Sequence, residues 1–180
     1  MIERILSDFA TAYPLKYCAL RYFNAARDDP EGKIGEKHNP ETHIIPIIFE
    51  TLQGKRQEVP VFGNDYPTAD GTAIRDYVHV CDLADAHIKA LEYLKNGGKS
   101  DCFNLSANSG TSVAELIKIA EKVSQRKIPF TYYARRAGDP AILIGSAEKA
   151  KKILGWNPVY SDIETIVQHA WQWHKKEMKI

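Results

Sequence analysis

The sequence has 180 residues and a formal net charge of +1 at pH 7, so it can fill one core and carries no strong field of either sign. Without a basic surface, a nucleic-acid partner is not expected. No apolar run approaches the roughly 20 residues of a membrane span, and the acid-containing start lacks the pattern of a signal peptide. We therefore expect a soluble, cytoplasmic protein with one domain and no membrane contact.

The cysteines and histidines do not show the common patterns of disulfide or metal chemistry. Cys18, Cys81 and Cys102 are odd in number and form no CxxC pair, which is typical of reduced, buried thiols in a cytosolic protein. Six histidines form no HExxH motif, and the spacing of His169 and His174 does not place them on one helical face. We expect no metal site.

The first part of the chain alternates helical and strand patterns. Apolar residues recur with helical spacing over residues 2–12, and LKYCALRY at 15–22 predicts a strand that is apolar on both faces towards its middle. Residues 24–42 are polar and rich in proline and glycine, which predicts a long functional or mobile loop. A helix is expected over residues 44–53, with a proline in its first turn.

The alternation continues to the end of the chain. A helix capped by Asp82 is expected to bury one stripe, formed by Leu83, His87, Ala90, Leu91 and Leu94. Within that stripe, His87 is interpreted as a packing residue. Four further elements are predicted: a strand over 101–106, a helix opened by the capping box at 112–115, a strand over 129–133 and a last helix capped at 161–164. The fold class is therefore α/β.

The segment from Val59 to Val80, VPVFGNDYPTADGTAIRDYVHV, joins two strands through a loop dense in turn formers. Phe62 ends the first strand, and Arg75 is expected to begin the second. An aromatic face and a guanidinium one loop apart suit a base and a diphosphate, because arginine matches phosphate oxygens bidentately. The segment alone equally allows Phe62 in the core and Arg75 in a structural salt bridge.

A second electropositive point follows a short strand, at Arg135 and Arg136 ahead of Asp139. By composition alone, a solvated loop is the favoured interpretation. Taken with the preceding segment, it completes the groups that a nucleoside diphosphate needs: an apolar wall, a carboxylate for the ribose and guanidiniums for the phosphates. Phe62, Asp139, Arg75 and Arg136 would supply them.

Six motifs, which follow one another in the order and with the spacing of that family, resemble the C-terminal half of bacterial UDP-glucose 4-epimerases. They are RYFNAA from Arg21, FGNDYPTADGT from Phe62, IRDYVHVCDLADAH to His87, FNLS from Phe103, RRAGDPA from Arg135 and KAKKILGWNP to Pro158. The resemblance covers essentially the whole chain. It implies an enzyme of the extended short-chain dehydrogenase/reductase group, in which NAD oxidises the sugar at C4 and reduces it from the other face.

The implied fold is the C-terminal part of an extended Rossmann-like fold. It consists mainly of the small substrate-binding domain, with the last strands and helices of the dinucleotide domain. Residues 1–180 would then be a single partial domain, without the N-terminal NAD-binding half.

The resemblance implies a UDP-sugar site built from five residues. Phe62 would lie at the uracil, and Asn24, Arg75 and Arg136 would hold the diphosphate. Asp139 would meet the ribose.

Four further positions carry roles by the same resemblance. Tyr22 would lie beside the nicotinamide of NAD, and His43 and Ile44 would lie along the diphosphate, where relatives often have asparagine and leucine. His43 has an equally good interpretation as a residue that meets the freed backbone groups at the start of a helix. Leu143 falls near the C2 group of the sugar, where an aliphatic side chain smaller than tyrosine would leave room for an N-acetyl group.

The sequence departs from the family in two ways. Arg27 and Asp28 follow Ala26 where relatives usually carry glycine, which often allows a close approach of backbone to ligand. The sequence also contains neither a GxxGxxG loop for dinucleotide phosphates nor the YxxxK pair whose tyrosine is the acid/base of the family. We therefore expect no catalytic residue in this chain, which resembles the family from just after that lysine onwards.

The leading hypothesis is the UDP-sugar-binding half of a 4-epimerase, inactive alone and not retaining NAD, with UDP-sugar as ligand. A separate N-terminal half or a second copy of the chain would be its protein partner. One alternative is a truncated, non-enzymatic module that binds nucleotide sugar weakly or acts as a scaffold with an uncovered sheet edge. Another is a fragment of a different nucleotide-sugar dehydrogenase/reductase, such as a decarboxylase or dehydratase.

Overall fold

The structure is a computed structural model that describes residues 1–26 and 28–177; Arg27, one of the two departures from the family pattern, lies outside the described residues. Helices and strands alternate through these ranges, as predicted for an α/β chain. In chain order they are α1 (Ile2–Ala12), β1 (Cys18–Arg21), β2 (Asn24–Ala26), α2 (Ile44–Leu52), β3 (Val59–Phe62), β4 (Ile74–Arg75), β5 (Tyr77–His79), α3 (Val80–Lys95), β6 (Asp101–Asn104), β7 (Thr111–Ser112), α4 (Val113–Ser124), β8 (Phe130–Tyr133), β9 (Ile142–Leu143), α5 (Glu148–Leu154) and α6 (Ile163–Glu177).

The strands form small, mostly parallel sheets. β1 pairs with β6, β2 with β5 and β3 with β8, all in parallel, whereas β4 lies between antiparallel β7 and parallel β9. Parallel neighbours cannot be joined by a hairpin, so helices lie on the connections between them. The registers place Phe62 opposite Tyr133 and Arg75 opposite Leu143, and so bring together the two segments that the sequence singled out.

One core lies where α2, α4 and α6 pack against β3. Phe49 of α2, Leu116 of α4 and Ile166 of α6 are all buried in this core. α4 begins at the predicted cap, where the Ser112 hydroxyl accepts a hydrogen bond from the Glu115 N–H at 3.0 Å. This core forms the back of the cavity described below.

A second core lies under α3 and α5. Its largest member is the fully buried Trp156, packed with Phe103 and Leu105. The indole Nε1 donates to the backbone carbonyl of Asp82 at 2.8 Å, so the ring is fixed by a hydrogen bond as well as by packing.

The sequence predicted that Asp82 caps α3, but it does not. The helix begins earlier, and its N-cap is His79, whose Nδ1 accepts the N–H two residues along at 3.1 Å. The buried Asp82 carboxylate instead accepts from the Val159 N–H at 2.8 Å, the Tyr160 N–H at 2.9 Å and the Ser161 hydroxyl. A short polar residue before an apolar stripe is a local signal, and a tertiary contact with residues 159–161 has taken its place.

Three predicted burial patterns are wrong. On α3, His87 and Leu91 are exposed, and Ala86 completes the buried stripe instead. The first strand spans only Cys18–Arg21 and is half-buried where coverage on both faces was expected. The three cysteines are free thiols, as expected, but half-buried.

Helix α1 lies outside both cores and has no buried residue. Its apolar side chains Ile2, Ile5 and Phe9 are each about half exposed or more. The strand that follows it, β1, has one strand neighbour among the described residues, β6. Among the described helices, none has the length and apolar character needed to cross a membrane.

Candidate functional site: a cavity between α2, β3 and β4

A cavity of about 320 Å³ brings together most of the residues that the resemblance assigned to UDP-sugar. Its walls come from β2, the start of α2, the end of β3, β4 and the loop after β8. The assigned residues in its lining are Asn24, His43, Ile44, Phe62, Arg75, Arg136 and Asp139. Tyr22 and Leu143 do not line it: Tyr22 is exposed after β1, and Leu143 is half-buried in β9.

Phe62 and Arg136 form a stacked pair at one wall. Phe62 is half-buried at the end of β3, and the guanidinium carbon of Arg136 lies 4.0 Å from the centre of its ring. Tyr133, across the β3–β8 register, has its ring centre 5.9 Å from that of Phe62. The wall therefore offers a flat aromatic surface whose face is already used by a cation.

Arg75 is held by three protein oxygens. One Nη1 hydrogen bond goes to the Ile74 carbonyl and another to the Pro140 carbonyl, each at 2.8 Å, and Nη2 donates to the carboxylate of Asp139. A guanidinium has five N–H groups. Among the described residues, its Nε hydrogen and one Nη2 hydrogen have no acceptor, so the side chain is fixed and can still donate into the cavity.

The position of Arg75 in its strand differs from the prediction. It ends the two-residue strand β4, whereas the sequence placed it at the start of a longer strand. The side chain is only 12% exposed: Arg75 forms the structural ion pair that one interpretation of the sequence allowed, and it also lines the cavity.

Asp76 positions Asn24. Its carboxylate is fully buried and accepts from the Ser106 hydroxyl, the Ala107 N–H at 3.1 Å and the Gly145 N–H at 3.0 Å. Its carbonyl accepts from Asn24 Nδ2 at 2.8 Å. The amide of Asn24 is therefore oriented, with its oxygen still available to a ligand. The sequence did not indicate this role of Asp76.

The N-terminus of α2 also faces the cavity. His43 is the N-cap residue but makes no side-chain hydrogen bond to the helix, which leaves first-turn N–H groups without a side-chain cap. Such a helix end carries a partial positive charge and is suited to anions. The arrangement of two arginines and this helix end is what a diphosphate requires.

Acidic and histidine side chains from the loop before α2 meet beside this helix end. Burial, together with the neighbouring charges of Glu36 and Glu41, raises the pKa of Asp28 to about 6, against the lowering effect of the hydrogen bond from the Glu36 N–H. His43 Nδ1 lies 2.9 Å from Glu41 Oε1 and 3.1 Å from Glu36 Oε1. The hydrogen bonds from the His43 backbone and ring lower the pKa of Glu41, against the opposing effect of its burial.

Arg135, the other arginine of the adjacent pair, points away from the cavity. It donates from Nε to Asp65 Oδ1 at 2.7 Å and lies with its guanidinium carbon 4.2 Å from the centre of the Tyr66 ring. It does not line the cavity. The adjacent arginines therefore divide into one that faces the cavity and one that fastens the loop at 63–72.

Glu36, His38 and His43 form a group that was not predicted, and their ligand-type atoms all lie within 4.8 Å of one another. The expected metal patterns were helical ones. The signal was the pair of histidines close to glutamate within one loop, which no helical template contains.

The residues present do not by themselves fit NAD. Tyr22, the one residue assigned to the nicotinamide, is exposed on the surface after β1, and the sequence contains no glycine-rich turn for the dinucleotide phosphates.

The α/β fold, with an aromatic wall, two arginines and a helix N-terminus around one cavity, agrees with the short-chain dehydrogenase/reductase type that the sequence resembles. A family model described as GDP-mannose 4,6 dehydratase matches residues 1–169, and the chain belongs to that family. Among curated relatives, a UDP-glucose 4-epimerase of Lacticaseibacillus casei is 53% identical over 174 residues, covering 97% of this chain and 53% of the relative.

Solved structures agree with this assignment. A crystal structure of a UDP-glucose 4-epimerase matches with a TM-score of 0.94 at 48% identity, covering 98% of this chain and 54% of that one. The epimerase of Bifidobacterium longum, solved in complex with NAD+ and UDP, matches with a TM-score of 0.87 at 35% identity over 97% of this chain and 52% of that one. The chain thus spans about half the length of the relatives it matches, and its resemblance to the C-terminal half of UDP-glucose 4-epimerases is confirmed.

Proposed function

We propose that this chain is the UDP-sugar-binding half of a UDP-glucose 4-epimerase. One observation carries the proposal: seven residues assigned from distant parts of the sequence line a single cavity. In it, the uracil stacks at Phe62, Arg75 and Arg136 bind the diphosphate, and Asp139 accepts from a ribose hydroxyl. Asn24 and the α2 helix end around His43 and Ile44 complete the phosphate contacts.

Binding requires one local rearrangement. Arg136 covers the Phe62 ring at 4.0 Å and must either leave it or share it with the base. A cation–π contact at a half-exposed site contributes about 0.5–1 kcal/mol, whereas each hydrogen bond to a charged group contributes about 1.5–3 kcal/mol. The exchange therefore favours the nucleotide.

The proposal is tested by titrating the chain with UDP and with GDP in a calorimeter. The named relatives act on UDP-sugars, but the matching family model is described by a GDP-sugar enzyme, so the base separates the two assignments. Saturable one-site binding of UDP, with GDP at least about fivefold weaker, supports the proposal. Tighter binding of GDP would favour the alternative of another nucleotide-sugar enzyme.

We infer that the chain alone does not epimerise. Its sequence has no YxxxK pair, and a positioned proton-transfer group contributes roughly 10² to 10⁴ in rate. The measurement is coupled turnover of UDP-galactose with added NAD. Turnover by the 180-residue chain would overturn this inference.

We propose that α1 and β1 form the contact surface for a partner, either an N-terminal half or a second copy. This surface comprises the exposed Ile2, Ile5 and Phe9 of α1 and the unpaired edge of β1 in the described part of the chain. Light scattering of the chain, alone and after co-expression with the N-terminal half of a relative, distinguishes the two. A Phe9→Glu variant should weaken either assembly. A chain that stays monomeric and does not bind the N-terminal half would contradict the proposal.

We propose that Leu143 tunes the choice of sugar in the assembled enzyme. It lies in β9 opposite Arg75, which is proposed to bind a phosphate, although Leu143 itself does not line the cavity. In the complete enzyme, Leu143→Tyr should reduce turnover of N-acetylated UDP-sugars more than that of UDP-galactose. Equal turnover of both classes by the variant would contradict it.

A further inference from the structure

Two histidine side chains from the loop between β2 and α2 meet at one carboxylate oxygen of Glu36, in the same loop. Glu36 Oε1 lies 2.7 Å from His38 Nε2 and 3.1 Å from His43 Nδ1. The Glu36 side chain is 4% exposed, whereas the two histidine side chains are 43% and 49% exposed. A buried carboxylate is thus reached by two imidazoles that stand on the surface side of it.

We propose that Glu36, His38 and His43 form a binding site for a divalent transition-metal ion of the zinc class. Two imidazole nitrogens and one carboxylate oxygen are a ligand set that zinc uses when it keeps a fourth position open. Metal–ligand distances of about 2.0–2.2 Å in a tetrahedron place neighbouring ligand atoms about 3.4 Å apart. The separations to Glu36 are 2.7 and 3.1 Å, and no two of the three ligand atoms are more than 4.8 Å apart, so side-chain movements of up to about 1 Å would bring them to the spacing of a tetrahedral site.

The surroundings favour a cation. Asp28 Oδ1 accepts the Glu36 N–H at 3.1 Å, and Glu41 Oε1 lies 2.9 Å from His43 Nδ1, a contact that an ion bound at this nitrogen would replace. Three carboxylates therefore lie beside the two imidazoles, and their negative charge attracts an ion of charge +2. With one buried oxygen and two exposed nitrogens, the site suits zinc, cobalt or nickel better than magnesium or calcium, which bind through oxygen.

The location gives the ion a route of access and a place beside the nucleotide cavity. Glu36 and His43 both line that cavity, and the exposure of the histidines leaves the fourth position open to water. His43 also belongs to the proposed phosphate contacts, so the metal site is tested without nucleotide. The sequence analysis expected no metal site, and the titration below decides between that expectation and this proposal.

The competing interpretation is that Glu36 only holds the two histidines through charge-assisted hydrogen bonds. Untagged chain, treated with EDTA and dialysed, is titrated calorimetrically with zinc chloride without nucleotide, and cobalt chloride is followed by its visible d–d absorption. The variants are His38→Ala, at a largely exposed side chain, and Glu36→Gln. His87→Ala on α3 is the matched control, because His87 is exposed and lies outside the loop.

We expect one equivalent of zinc, tetrahedral cobalt bands, and a loss of affinity of at least about tenfold in His38→Ala, with His87→Ala unchanged. Zinc binding that His38→Ala leaves unchanged would place the ion elsewhere, for example at a cysteine, and would overturn the proposal. So would the absence of any zinc binding by the unaltered chain. If Glu36→Gln fails to fold, the comparison of the two histidine variants still decides the matter.

Discussion

Replacing Arg136 by methionine separates the two halves of the nucleotide contact. Methionine keeps a long side chain against Phe62 but has no guanidinium, so it removes phosphate hydrogen bonds and leaves the aromatic wall. At the low end of their range, two charge-assisted hydrogen bonds contribute about 3 kcal/mol to UDP binding. In the unaltered chain, part of this gain, about 0.5–1 kcal/mol, is spent in displacing Arg136 from the Phe62 ring, 4.0 Å away, and the variant avoids that cost. The net loss of about 2 kcal/mol weakens UDP binding roughly 30-fold.

Uridine should respond differently. It has the base and ribose but no phosphate, so Arg136→Met should leave its affinity within about threefold of the original value, or improve it as the ring face is vacated. Calorimetric titration of both ligands gives the two ratios, and circular dichroism checks that the variant folds. The matched control is Arg135→Met, since Arg135 binds Asp65 and lies outside the cavity.

Two results would refute this reasoning. If uridine lost as much affinity as UDP, Arg136 would be supporting the wall instead of binding phosphate. If Arg135→Met weakened UDP binding as much as Arg136→Met, a general loss of positive charge would explain both.

Three other predictions concern the framework of the site. Asp82→Asn keeps one acceptor oxygen for residues 159–161 but turns an amide towards the remaining donors, so the free energy of unfolding in urea should fall by about 2–3 kcal/mol. The control is Asp85→Asn, one turn along α3, where Asp85 forms a partly exposed ion pair with Lys89; it should change that free energy by less than about 0.5 kcal/mol. Burial, and then the charge of His169, lowers the pKa of His79 below 6.5, so the unfolded state binds the proton more tightly and stability is lost as pH falls through that value. His79→Asn retains a good N-cap acceptor without this titration, so its unfolding free energy should drop less between about pH 7.5 and about pH 5.5 than that of the unaltered chain; an equal drop would contradict the assignment. Gly71→Ala should destabilise the loop at 63–72, because φ is +79° and an added Cβ would lie 2.2 Å from a backbone oxygen; a thermal midpoint unchanged by the substitution would contradict this.

The sequence predicted those parts of the fold whose signals are local. The helices α2, α4 and α6 and the cap at Ser112 follow from local sequence patterns, and the structure confirms them. Asp82 carried the same local signal, but the buried segment at 159–161 competes for its carboxylate and wins with three hydrogen bonds.

The candidate site shows the same division. Seven of the nine residues that the resemblance selected line the cavity; five of them belong to the quoted motifs, and His43 and Ile44 lie between two motifs. The resemblance did not reveal that Arg75 and Asp139 pair with each other, or that Asp76 orients Asn24, since these contacts join residues from different strands and loops. The Glu36 cluster lies in a loop without periodicity, where no sequence template indicates which side chains meet.

Titration of the chain with UDP-galactose, followed by analysis of the same sample for UDP-glucose after incubation with NAD, tests the central claim most directly. We predict saturable one-site binding, with a dissociation constant below about 1 mM, and no conversion. Absence of binding would contradict the assignment of the cavity, and formation of UDP-glucose would contradict the assignment of this chain as a binding half without catalytic groups.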